Sequence, residues 1–155
     1  VLQICIAFGI RLLLVALFMP FSALDKIVEF DAAVAQAHES FASMRVARAM
    51  IVIGFCVELV MSLAVLCGVA DRMAAFVLAG YCGVTALLWK PFWRPGDFWV
   101  GGASRARGLF WDFWKNLAVA GGFLLITFGT GADSVDRFFD HPFSSSHPYS
   151  RTSAP

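Results

Sequence analysis

Charge is what this chain has least of. Asp, Glu, Lys and Arg together make up 15% of its 155 residues, where a soluble domain carries about a quarter. Hydrophobic residues make up 59%, Phe alone numbers 16, and the net charge is +1. A chain so poor in charge has lipid as its solvent, and its near-neutral balance excludes the basic surface that a nucleic-acid partner needs. Histidine is missing from every long apolar run: His38, His141 and His147 all lie in polar stretches. That argues against a haem ligated between transmembrane helices. Cys5, Cys56, Cys67 and Cys82 form no CxxC pair, which argues against a dithiol redox site or a zinc site. They read as small buried hydrophobes. No glycine-rich phosphate cradle and no nucleophile elbow is present. No segment alternates with period two, so a β-barrel is disfavoured. No covalently attached cofactor and no metal is expected.

What is present is four long apolar runs, at about 2–24, 49–70, 73–89 and 109–130. Each approaches the ~20 residues that a helix of ~1.5 Å rise needs to cross a bilayer. The expected fold is all-α, an integral membrane antiparallel four-helix bundle over 1–132, followed by a polar tail at 133–155. Between runs one and two, "DKIVEFDAAVAQAHESFASMRVAR" reads as a partly helical surface connection. Runs two and three are joined through "GVADR", a turn so tight that they must be antiparallel neighbours. Runs three and four are joined by a Pro- and Gly-containing loop. Its Trp89, Phe92, Trp93, Phe98 and Trp99, with Phe110, Trp111, Phe113 and Trp114, read as an aromatic belt at one interface. The glycines of "LAGYCG" and "AVAGGF" read as points of close helix approach. Four spans put both ends of the chain on one side, side B. Lys26, Arg45, Arg48, Lys90, Arg94, Arg105 and Arg107 then fall on side A, which the positive-inside rule assigns to the cytoplasm.

Two charges lie deep. Arg11 is about 13 Å from the side B end of span one, and Glu58 about 15–18 Å from that end of span two. Each alone would cost roughly 2.5–3.5 kcal/mol at the centre of a bilayer. Matched depth on antiparallel spans predicts an ion pair between them. That pair admits two roles, fixing helix registry or handling a proton or ligand. Closer to side A, Lys26 and Glu29 end span one, while Asp112, Lys115 and Asn116 share one face of span four. These five are expected to converge on a small polar pocket that takes a quinone or a lipid, roofed by the aromatic loop 91–99. The tail, with two His-Pro pairs and a serine run, cannot bury enough apolar surface to fold alone. Phe138, Phe139, Phe143 and Tyr149 are therefore expected to dock on another protein, making the chain a subunit of a larger membrane assembly.

The stretches "IRLLLVALFMPFSALDKIVEF", "CVELVMSLAVLCGVADRMAAFVLAGY" and "FWKNLAVAGGFLLITFGTGADSVD" resemble the DoxX family of small four-helix bacterial membrane proteins. By that resemblance Arg11, Lys26, Glu58, Arg72, Lys115, Asn116, Gly129 and Gly131 occupy the family's characteristic positions. One departure is Pro20 and Ser22 in "PFSALDK", where the family usually has a glycine before the lysine. Helix packing near Lys26 is expected to differ accordingly. The resemblance implies a multi-pass protein of the bacterial inner membrane, acting as an accessory or anchoring subunit of an oxidoreductase, with quinone-linked sulfur-compound oxidation and thiol-oxidant defence among the family's associations. A partner or a quinone would then carry the electrons. Two other readings stand beside it: a structural or assembly subunit without chemistry, and a small proton-coupled transporter using Arg11 and Glu58.

Overall fold

A computed structural model describes residues 1–39, 41–131 and 133–150, and the backbone alone at 133 and 134. The first span is interrupted. Helix α1 (Leu2–Ala16) passes into a π-helical turn, Leu17–Ser22, and then into α2 (Ala23–Val28). The cause lies in the sequence departure noted above. Pro20 has no N–H to donate, and its ring would collide with the carbonyl four residues back in a regular helix. Widening the turn relieves both problems, and the Ala23 N–H reaches the Phe18 carbonyl, five residues back. The 27-residue unit Leu2–Val28 remains long and apolar enough to cross a membrane.

The chain leaves the helical region at Glu29 (φ −112°, ψ 39°), and a short amphipathic helix, α3 (Phe30–His38), follows. Val34 and Ala37 of α3 pack on Ala47 and Ile51 of α4 (Met44–Cys67). The left-handed Gly68, at φ +72°, ends α4, and only Val69 and Ala70 separate it from α5 (Asp71–Trp89). After the aromatic loop comes α6 (Arg105–Phe128). The Asp97 carboxylate fastens that loop to α6 by accepting from the N–H groups of Arg105 (2.7 Å) and Ala106 (2.9 Å). These bonds, that from Ala106 foremost, hold Asp97 below the usual carboxylate range.

Helices α4, α5 and α6, like Leu2–Val28, are long and apolar enough to span. The protein is thus an all-α membrane helical bundle. Its core joins Val15 and Phe18 to Val65, Leu78, Ala120 and Phe123. Small residues at Ala74, Ala75, Ala79 and Cys82 let α5 approach its neighbours. Among the glycines expected at close contacts, Gly122 is one: a Cβ there would lie 2.8 Å from Leu14 Cδ2, whereas Gly80, Gly83 and Gly121 have open space. The expectation for the cysteines is corrected as well. Cys82 is buried, but Cys5, Cys56 and Cys67 lie on the outer surface, where in a membrane apolar runs meet lipid on one side.

The tail behaves differently from its expected role. After α7 (Asp133–Asp140), the chain runs back across the side B end of the bundle. Phe138 is buried between Phe76 and Phe128. The Tyr149 hydroxyl donates to the Leu66 carbonyl, and Ser145 Oγ donates to that of Gly68 at 2.6 Å. Those carbonyls belong to the C-terminal end of α4, where the helix leaves its last acceptors unpaired. Burial pushes the Tyr149 phenol above its ordinary pKa. Phe138 and Tyr149 are therefore anchors on the chain's own bundle: Phe138 fills the space between two rings, and Tyr149, with Ser145, satisfies orphan acceptors at the end of α4. Phe139 packs its ring against Phe128 and Phe138 yet stays 68% exposed, and Phe143 is 73% exposed. Residues 151–155, which belong to the expected tail, lie outside the described residues.

Gly68 holds this end together twice over, through its positive φ and because a Cβ would sit 2.9 Å from Pro148 Cγ. Gly68→Ala is expected to cost about 1–2 kcal/mol from the left-handed backbone alone, with tail displacement added. Thermal unfolding in detergent should show a clear loss. Gly9→Ala, where a Cβ meets nothing within 4 Å, should show none.

Candidate functional site

Arg11 and Glu58 both face the bundle interior and both are buried, but they do not pair with each other. Arg11 Nη2 lies 2.7 Å from Asp71 Oδ2, and Arg11 Nη1 donates to the Val65 carbonyl at 2.5 Å. Glu58 pairs with Lys26, whose Nζ is 2.8 Å from both carboxylate oxygens. The reason is directional. Side chains on a helix lean toward its N-terminus. Arg11, on a helix entering from side B, leans back toward side B. Glu58, on the antiparallel α4, leans toward side A. Similar depth of the two Cα atoms therefore carries the two charged groups apart. Asp71, the first residue of α5, receives Arg11 at side B, where the helix N-terminus also favours a carboxylate. Lys26 leans inward from side A and meets Glu58.

Each pair is completed by a hydroxyl. Ser146 Oγ accepts from Arg11 Nη2 at 2.7 Å and donates to Asp71 Oδ2 at 2.6 Å, while the Ser146 N–H donates to Asp71 Oδ1 at 2.8 Å. At the other pair, Ser22 Oγ accepts from Lys26 Nζ at 2.6 Å and donates to Glu58 Oε1 at 3.2 Å. The π turn ends at Ser22, so the distortion imposed by Pro20 also sets the rotation of Ser22 and Lys26 toward α4. Tyr81 of α5 brings a phenol to the same cavity as Glu58.

The Lys26–Glu58 pair lines a cavity of about 490 Å³. Ser22, Tyr81, Thr85 and Asn116 supply further polar wall, and Leu17, Phe18, Trp89 and Val119 supply apolar wall. Asp25, Gln36, Lys90, Asp112 and Lys115 add the remaining charged and polar lining. Lys26, Asp112, Lys115 and Asn116 are thus brought together as expected. Asp112 bonds Lys90 Nζ at 3.2 Å and lies 3.6 Å from Lys115 Nζ, and Asn116 Nδ2 donates to the Asp112 carbonyl. The Lys115 side chain is 74% exposed, so it contributes a charge at the rim and not a donor inside. Glu29 is corrected: it sits exposed at the break between α2 and α3 and does not line the cavity, because the chain has already turned out of the helix there. The roof is corrected too. Ala33 and Gln36 of α3 border the cavity, while loop aromatics Phe92, Trp93 and Phe98 stack on Phe110 and Phe113.

A family model described as DoxX matches residues 6–91. The chain belongs to the DoxX family. No curated protein and no solved structure matches it. Arg11, Lys26, Glu58 and Arg72 fall within the matched stretch of this DoxX protein; Lys115 and Asn116 lie beyond it, and their place at the site rests on the cavity itself. Family and fold together make the chain a small multi-pass integral membrane protein.

Sequence reasoning misses Tyr81, Asp71 and Ser146 as site residues, and finds Ser22 only as a change in helix packing. For Asp71 the visible signal is a carboxylate that opens an apolar helix. Ser146, distant in sequence, carries none. A double-mutant cycle distinguishes the two pairings. Glu58→Gln and Lys26→Met should each destabilise by roughly 3–5 kcal/mol, the cost of breaking a buried pair, with the double variant far less unstable than their sum. Glu58→Gln and Arg11→Met should instead add. Thermal or denaturant unfolding in detergent reads both cycles.

Proposed function

We propose that this DoxX-family protein is an inner-membrane subunit that binds an amphipathic, quinone-class ligand beside the Lys26–Glu58 pair, in association with an oxidoreductase that exchanges electrons with that ligand. The observation that carries the reading is the cavity itself. A buried ammonium–carboxylate pair with a serine and a phenol forms one wall, and Leu17, Phe18, Trp89 and Val119 form others. Polar groups converging beside an apolar wall are what an orienting site for an amphipathic ligand needs. A quinone headgroup is flat and apolar with carbonyl acceptors at its ends. Lys26 and Tyr81 bring N–H and O–H groups to one end, and Glu58 and Ser22 hold the ammonium in place. The neutral balance of the pair avoids the cost of a lone charge in hydrocarbon. Partner subunits and membrane lipid cover the outward apolar faces in this reading.

Protein purified from native membranes in mild detergent should carry quinone, detectable by organic extraction and mass spectrometry. Ser22→Ala and Tyr81→Phe, which keep the ion pair, should lower occupancy severalfold. Lys26→Met should abolish it, and Lys115→Met should leave it close to wild type. Folded wild-type protein free of quinone, or equal occupancy in all variants, would refute the reading.

A further inference from the structure

Lys26 and Ile51 line two cavities. The second, about 230 Å³, is apolar apart from Lys26 and is bounded by Ile27, Phe30, Val52 and Phe55. It opens outward: Ile27 is 63% and Val52 46% exposed. Its depth places that opening in hydrocarbon. Val52 lies eight residues from the start of α4, about 12 Å along the helix axis. The apolar run of α4 opens at Ala49, after Arg45 and Arg48, so Val52 lies about 4–5 Å inside the side A boundary of the hydrocarbon. The partition between the cavities is the Lys26 stem and the Ile51 side chain, and the Lys26 ammonium points into the larger one, toward Glu58. A flexible four-carbon stem is a partition that can swing without moving backbone.

We propose that the gap between α2 and α4 is a lateral portal, through which a long-tailed amphiphile enters from the bilayer and leaves its tail against Ile27, Phe30, Val52 and Phe55 while its head reaches Lys26 and Glu58. This rests on the ligand reading above and adds the entry route and the tail subsite. Two features specify the occupant as a tail continuous with a polar head. The small cavity is lined by apolar side chains, with nothing but Lys26 to bind a polar group. Lys26 also belongs to both cavities, so whatever fills the small one ends at the ion pair.

The test uses the full chain in nanodiscs and two probes with the same headgroup class: decylubiquinone and the tail-less 2,3-dimethoxy-5-methyl-1,4-benzoquinone. Val52→Trp plugs the portal at an outward position and is compared with Val60→Trp, also exposed on α4. Val52→Trp should weaken decylubiquinone binding at least tenfold, keep the tail-less probe within twofold, and retain wild-type thermal unfolding. Val60→Trp should alter neither probe. Unchanged decylubiquinone binding in Val52→Trp, or equal loss of both probes, overturns the portal. So does native mass spectrometry showing a phospholipid held by wild type and lost from Val52→Trp while decylubiquinone binding persists. If wild type binds neither probe, the ligand reading falls, and the portal with it.

Discussion

A charge inside a bilayer must find its partner within the reach, and in the direction, of its own side chain. Helical side chains lean toward the N-terminus, so charges on antiparallel spans lean apart or together according to which end each approaches from. Two pairs follow here. Arg11 reaches Asp71 at side B, and Lys26 reaches Glu58 from side A. One pair closes an end of the bundle. The other stands beside a cavity. The rest of the molecule can be ordered around that division.

At side B the pair is sealed. Ser146 bridges Arg11 and Asp71, and neighbouring tail residues cap the carbonyls at the end of α4. Arg11, Asp71 and Ser146 are bonded to one another there, and Gly68 lets the tail come close enough to do it. At side A the pair stays accessible to a ligand. Pro20 widens the helix before Ser22 and Lys26, and that turn brings a hydroxyl and an ammonium to one carboxylate. A local rule broken by a proline thus coincides with the site, as strained or irregular helix turns often do.

The four spans, the tight turn between α4 and α5, and the helical connection α3 were legible because apolar length and turn residues are local signals. So was the convergence of Lys26, Asp112, Lys115 and Asn116. The partner of Glu58 was not. Residue counting gives the depth of a Cα atom but omits the direction of the side chain, and over two long side chains that omission exceeds the reach of an ion pair. The docking of Tyr149 was hidden for a different reason: orphan carbonyls at a helix end are backbone groups, invisible in side-chain composition.

The central claim is the Lys26–Glu58 contact. Magic-angle-spinning NMR of membrane-embedded protein, with 15N in lysine side chains and 13C in glutamate carboxylates, measures it directly. A Lys26→Arg sample, whose guanidinium escapes lysine labelling, assigns the signal. The separation of 2.8 Å between Nζ and Oε1 predicts strong dipolar dephasing of the Glu58 carboxylate, lost in the variant. A Glu58 carboxylate with no dephasing from lysine nitrogen, and instead coupled to arginine nitrogen in a companion arginine-labelled sample, would contradict the account.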